Sequence, residues 1–170
     1  MHSRVIRNKK LGLVTVRALR NGDTRTLCAF FRQLGEESRL RRFHGAKPRL
    51  SDAELADLAA VDSRRHSLVA YVEGDTRPAG VAQLVRESDR CTHAEIAFAV
   101  ADRYQGQGIG RTLVELLAAD ARAAGVTHLT ATIQSSNTAA RALVQKVLHV
   151  VDVRHESGEA TIVAGLAPGA

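Results

Sequence analysis

Aromatic side chains make up only 4% of this 170-residue chain. No helix-turn-helix or ribonucleoprotein-type motif accompanies them, so nucleic acid has little to stack against or dock on, and a nucleic-acid-binding module is disfavoured. Cysteine is equally scarce. Cys28 and Cys91 stand far apart, with neither C-x-x-C nor metal-ligand spacing, which leads us to expect reduced thiols, no metal site and a cytoplasmic setting. No apolar run approaches the ~18 residues of a membrane span. The first ten residues carry charge without an apolar stretch of signal length, so neither export nor membrane insertion is expected. Two familiar phosphate-binding patterns are also missing. The nucleoside-triphosphate loop G-x-x-x-x-G-K-S/T does not occur, and the dinucleotide pattern G-x-G-x-x-G fails because Arg111 stands where its third glycine belongs. No acid ends the next apolar run either, which closes as Ala131-Thr132-Ile133-Gln134.

What the chain does carry is a glycine-rich turn. Thr92 to Val100 alternates, with Ile96, Phe98 and Val100 on one face and His93, Glu95, Ala97 and Ala99 on the other, as in a strand. From Thr112 to Ala124 the apolar residues recur at helical spacing. Between them lie Gly106, Gly108 and Gly110. Ordering a glycine costs roughly 1 kcal/mol relative to alanine in a helix, and the usual offset is close approach of a ligand to bare backbone. Unpaired N–H groups in the first helical turn, aided by the helix dipole, suit a phosphate or pyrophosphate. A turn without any ligand is the competing reading. Lys+Arg 24 against Asp+Glu 18 gives a net charge of +6, which favours anionic partners such as coenzyme A, an acidic protein surface or nucleic acid without choosing among them.

The length suits one domain that buries roughly 70% of its unfolded surface. In order, the pattern predicts a strand at Leu13–Leu19, then a helix capped by Asp23 and stopped by Gly35. A basic segment follows with Arg39, Arg41 and Arg42, either a solvated helical face or a rim selecting an acidic acceptor. Ser51-Asp52-Ala53-Glu54 fits a capping box for a second helix. Strands at Ser67–Val72, Ala79–Val85 and Thr92–Val100 form an antiparallel meander. After the glycine-turn helix, His128–Ile133 returns parallel to its predecessor. Ser136 or Asn137 caps a last helix, and a hairpin of His149–Arg154 with Ala160–Ala164 closes the chain. The expected divisions are an N-terminal extension over residues 1–12, one domain over 13–165 and a tail over 166–170.

The run Gln105-Gly106-Gln107-Gly108-Ile109-Gly110 resembles the Q/R-x-x-G-x-G/A signature of the GNAT superfamily of acyl-CoA-dependent N-acyltransferases. The order of elements resembles that family too. Glu37-Ser38-Arg39 with Arg42-Phe43, then Val61-Asp62, then Ala94-Glu95-Ile96-Ala97 further resemble the acetyltransferase domains of bacterial protein-lysine acetyltransferases of the Pat type. The resemblance implies an α+β fold: a mostly antiparallel twisted sheet of about seven strands, helices on both faces, and a splayed parallel pair at the cofactor site. It implies acetyl-CoA as co-substrate, its pyrophosphate held by Gln105, Gly106, Gln107, Gly108, Ile109, Gly110 and Arg111. Backbone N–H groups of Phe98, Ala99 and Val100 would serve the oxyanion and pantetheine, and Asn137 would lie near the cofactor unless it is only a cap. Glu95 would be the general base.

Such a base matters because a lysine amine must give up a proton, which costs close to ~5 kcal/mol at pH 7 for a pKa of about 10.4. His93, two residues away on the same face, could assist. The implied acceptor is a protein lysine, with an acyl-CoA synthetase among the possible partners. An inactive acyl-CoA-binding regulatory domain and a small-molecule amine acetyltransferase are the alternatives. Two positions depart from the family pattern: Val144 stands where many members have a tyrosine acid, and Leu148-His149 replaces Gly-Phe. The general acid is therefore unassigned, although a thiolate with a pKa near ~8.5 leaves with little help.

Overall fold

The structure, a computed structural model, describes residues 3–166. Its elements are β1 (Arg4–Asn8), β2 (Gly12–Ala18), α1 (Thr24–Phe31), α2 (Glu36–Phe43), α3 (Asp52–Leu58), β3 (Arg65–Val72), β4 (Gly80–Val85) and β5 (His93–Val100). After a 3-10 turn at Asp102–Tyr104 come α4 (Ile109–Ala123), β6 (His128–Gln134), α5 (Thr138–Val147), β7 (His149–Glu156) and β8 (Glu159–Gly165). All strands join one sheet in the order β1-β2-β3-β4-β5-β6-β8-β7. Every pairing is antiparallel except β5 with β6, as expected of a strand–helix–strand crossover through α4.

Two apolar layers hold the sheet. On one face α1 and α3 cover Val69, Val81 and Ala101, with Leu27, Phe30 and Phe31 inserted from α1. On the other, α4 and α5 pack over Leu84, Ala94, Ile96, Leu129 and Ile162. Helix α4 presses hardest: Ile109, Leu113, Val114 and Leu117 are 0–1% exposed, the fully buried stripe that their helical spacing dictates. Gly80 permits this approach. A Cβ there would stand 2.8 Å from Leu113 Cδ1 and 2.9 Å from Ile109 Cγ2, so any larger residue would lift α4 off β4.

The sheet has eight strands where about seven were expected, and the extra one lies in the residues read as an extension. Strand β1 pairs with β2 from Arg4↔Val16 to Asn8↔Gly12. Ile6 packs against the core while Val5 is 62% exposed. With Arg4 and Arg7 flanking adjacent Val5 and Ile6 in so short an edge strand, no apolar alternation marks it. The segment carrying Arg39, Arg41 and Arg42 is itself a helix, α2, with Glu36 and Glu37 in its first turn and Arg41 and Arg42 in its last, the order the helix dipole favours. None of its residues is buried, which is why helical spacing of apolar residues did not mark it. Gly35 turns out to precede α2 as its N-cap, whereas α1 stops at Phe31. Leu166, assigned to the tail, is buried, and its N–H donates to the Thr127 carbonyl at 2.7 Å; the remainder of that tail lies outside the described residues.

The capping box at Ser51 is present. Ser51 Oγ accepts from the Glu54 N–H (3.3 Å), and a Glu54 carboxylate oxygen accepts from the Ser51 N–H (2.8 Å). The Lys47 ammonium pairs with the same carboxylate. Together these hold the Glu54 pKa down to about 2 from its ordinary 4.5, the Lys47 hydrogen bond contributing most. A carboxyl depressed on folding stabilises above its ordinary pKa and loses that contribution as pH falls through its folded value. We therefore expect a segment of acid-induced Tm loss between about pH 4.5 and 2 that is flattened in Glu54→Gln. Parallel Tm-against-pH curves for the two proteins test this, and superimposable slopes would refute it.

Candidate active site

The glycine turn is held open by its own backbone. Gly106 and Gly108 adopt φ of +68° and +93°, a left-handed region where a side chain is strained. Gly108 is the N-cap of α4 and supplies no side-chain cap, and the first turn contains no acidic residue. Instead it carries Arg111, which lies against the sign of the helix dipole and gains if an anion sits at the turn. Its guanidinium also pairs with Glu115 at 2.7 Å.

Long-range contacts brace the turn. Asn8 Nδ2 donates to the Gln107 carbonyl (2.8 Å) and Lys10 Nζ to the Gly106 carbonyl (3.3 Å), both from the β1–β2 hairpin. Gln105 Nε2 donates to Ser38 Oγ on α2 (3.0 Å) and to the Val100 carbonyl at the end of β5 (3.1 Å). Gln107 Nε2 donates to the Arg103 carbonyl at 2.8 Å.

From this turn a cleft of about 280 Å3 runs between β5, α2 and α5. Phe98, Ala99, Val100, Gln105, Gly106, Gly108, Gly110, Arg111 and Asn137 all line it. The opening exists because β5 and β6 pair only from His93↔His128 to Glu95↔Thr130 and then diverge. Ala101 donates to the Ala79 carbonyl on the β4 side. Alternation along β5 then turns the Ala99 N–H toward β4 and leaves those of Phe98 and Val100 facing the gap. Ala99, grouped with them as a donor, thus contributes wall only. Gln107 and Ile109 do not line the cleft: the Ile109 side chain is 1% exposed, in the core, and that of Gln107 folds back onto the Arg103 carbonyl. Asn137 caps α5 by accepting from the Ala140 N–H (3.2 Å) and also lines the cleft.

Glu95 lies where β5 and β6 part, exposed, in a second cavity of about 260 Å3 with Asp57, Arg65, Ser67 and Gln83. His93 stacks on His128, ring centroids 4.7 Å apart, instead of turning toward Glu95. Among the described residues, Arg42 is the one that lines both this cavity and the cleft. Its Nη2 donates to Gln83 Oε1, and its guanidinium lies 5.2 Å from the Phe43 ring centroid. Burial pushes its pKa down to about 10, with the nearby Glu95 charge opposing that shift.

The other arginines of α2 do different things. Arg39 donates to the Pro48 carbonyl (2.9 Å) over the Phe31 ring (4.5 Å), and Arg41 pairs with Glu37 (2.5 Å) at the cleft. They do not form a common rim. Ser38, Arg42, Asn8 and Lys10 are the contributors that sequence reasoning did not place. Arg42 stood in a noticed cluster, but no local pattern signals a bond between Asn8 and Gln107. No group of three or more His, Cys, Asp or Glu residues suited to a metal occurs among the described residues, and no described helix is long and apolar enough to cross a membrane.

Residues 29–149 match the model of the acetyltransferase (GNAT) family. The chain is 35% identical over 127 residues to Acetyltransferase Pat of Mycolicibacterium smegmatis, covering 74% of this chain and 38% of that protein. The chain thus spans well under half of that relative's length. The GNAT domain of S. lividans PAT superposes with a TM-score of 0.88 at 24% identity, covering 96% of this chain and 97% of that one. YncA of Salmonella typhimurium, solved with its cofactor acetyl-CoA, superposes with a TM-score of 0.66 at 21% identity, covering 92% and 98%.

The brace from the hairpin is open to measurement. Asn8→Ala removes one hydrogen bond to the turn, a loss of about 1 kcal/mol, so the Kd for acetyl-CoA measured by calorimetry should rise about fivefold with little change in Tm. An unchanged Kd would show that the turn keeps its shape without the hairpin.

Proposed function

The chain belongs to the GNAT acetyltransferase family, and from that membership we propose that this acetyl-CoA-dependent enzyme acetylates the side-chain amine of a protein lysine, with Glu95 as general base. The observation that carries the proposal is the junction of two cavities at Arg42, one running to the glycine turn and the other holding Glu95. An acetyl-CoA whose pyrophosphate lies at Gln105–Arg111 has its thioester at the far end of the cleft. An amine beside Glu95 meets it there.

In this reading Glu95 accepts the amine proton, directly or through water, as nitrogen attacks the thioester carbonyl. The N–H groups of Phe98 and Val100 face the gap where the oxyanion develops. Gln105, Ser38 and Asn137 fix the walls. A protein lysine is favoured by the likeness to Pat-type enzymes and by the charge of the acceptor cavity. Asp57 is already paired with Arg65 at 2.8 Å, and Arg42 lies near Glu95, so the cavity offers a polycationic small amine no excess of negative charge. An acyl-CoA synthetase is a suitable acceptor to test. A cytoplasmic setting, where acetyl-CoA is at hand and thiols such as free Cys28 and Cys91 stay reduced, belongs to the same proposal.

Glu95→Gln keeps the shape and removes the proton acceptor. We expect kcat to fall about 10²-fold on a lysine-bearing acyl-CoA synthetase, with the acetyl-CoA Kd nearly unchanged. Retention of most of the rate at pH 7 would remove Glu95 from the mechanism. Faster turnover of spermidine than of the protein would remove the lysine acceptor, and no transfer to any amine would leave an acyl-CoA-binding role.

A further inference from the structure

The proposed mechanism leaves the departing sulfur without a donor. Val144, where many relatives have a tyrosine, is 1% exposed within the core. Tyr104 borders the cleft, but its hydroxyl donates to Asp75 at 2.8 Å. Asn137 uses its side-chain oxygen to cap α5, and its neutral amide carries no charge and is too weak an acid to give a proton to sulfur.

We infer that the Arg42 guanidinium receives the negative charge that develops on the coenzyme A sulfur as the thioester breaks. The inference rests on the acetyl-CoA reading of the cleft. Its warrant is position. With pyrophosphate at the glycine turn, the thioester lies at the end of the cleft next to the Glu95 cavity, and Arg42 is the described side chain that borders both.

Its surroundings favour the same role. Arg42 forms no ion pair within 4.0 Å among the described residues; its hydrogen-bond acceptor is the neutral Gln83 Oε1. Gln83 is itself oriented, its Nε2 donating to the Leu58 carbonyl at 2.9 Å and toward Ser67 Oγ at 3.4 Å, which fixes its carbonyl oxygen toward Arg42. A half-buried guanidinium that is partly desolvated and held by a neutral partner carries a cost, and the cost is offset when negative charge arises beside it. At neutral pH the group is charged, since burial lowers its pKa only to about 10.

The step balances without a further reactant. The amine nitrogen bonds to the carbonyl carbon, its proton passes to Glu95, and the tetrahedral adduct collapses with cleavage of the C–S bond. The electron pair goes to sulfur beside Arg42, and the proton on Glu95 returns through water to give the free thiol.

The test is the binding of free coenzyme A by the intact protein. A thiol with an ordinary pKa near ~8.5 ionises more readily beside Arg42, so the Kd from calorimetry should tighten about fivefold or more between pH 7 and pH 9, whereas desulfo-coenzyme A should show no such tightening. Arg42→Met should abolish the pH dependence while still binding coenzyme A, and Arg42→Lys should restore part of it. Equal pH dependence for coenzyme A and desulfo-coenzyme A in the unaltered protein overturns the assignment even if a variant fails to fold, as does a folded Arg42→Met that keeps the tightening. Failure of the unaltered protein to bind either ligand would instead overturn the reading of the cleft, and this inference with it.

Discussion

Beyond Glu95↔Thr130 strands β5 and β6 no longer pair, and the backbone groups they would have shared must find other partners. Unpaired amides and carbonyls in a sheet interior are costly. Here the Val100 carbonyl accepts from Gln105, while the N–H groups of Phe98 and Val100 face a cleft. The gap is thus both the defect in the sheet and the place where a peptide-like chain such as pantetheine can complete it. Its width is set by what flanks it: α4 drawn onto β4 through Gly80, and α5, whose Ala140 and Leu143 line the cleft.

The second requirement is that the positive end of α4 face the same gap. A short link through Asp102–Tyr104 carries the chain from the last residue of β5 to the first turn of α4, so the direction of the strand fixes that of the helix. Its two left-handed glycines are intrinsically loose, and the stiffness comes from elsewhere. Asn8 and Lys10 on one side and Gln105 with Ser38 on the other tie the turn to elements remote in sequence. Strand β1 with the turn after it, and helix α2, in none of which a residue is fully buried, therefore serve the site as well as the fold.

This explains how much could be read in advance. The glycine turn, strands β2 to β8 and helices α1, α3, α4 and α5 are encoded locally, by alternation, helical spacing or caps such as Ser51 and Asn137. The splay was legible only through family resemblance, since nothing in the composition of β5 says where pairing stops. Strand β1 was hidden because its stability comes from a partner instead of an apolar face, Arg4–Asn8 borrowing the edge of β2; helix α2 was visible only as one of two readings of a basic run, the solvated helical face, since it rests on charge order and on rings such as Phe31. The arginines show the limit of charge counting. Arg39, Arg41 and Arg42 read as one basic patch, yet one holds a carbonyl, one pairs with Glu37 and one enters the site.

Arg42 also orders the events of the proposed reaction. A lysine arrives as an ammonium, and the half-buried, partly desolvated guanidinium at the junction repels it more strongly than an exposed one would. Glu95, at the solvent side of that junction, attracts the same ammonium, whose first proton leaves to solvent there; the second passes to Glu95 as the nitrogen attacks. The nitrogen therefore advances to the thioester only after it has lost its charge, and the cation that barred the ammonium then faces the negative charge its attack creates. Placing cation and base in line along one path lets a single pair of opposite charges select the neutral amine and stabilise the leaving sulfur, with no tyrosine at position 144.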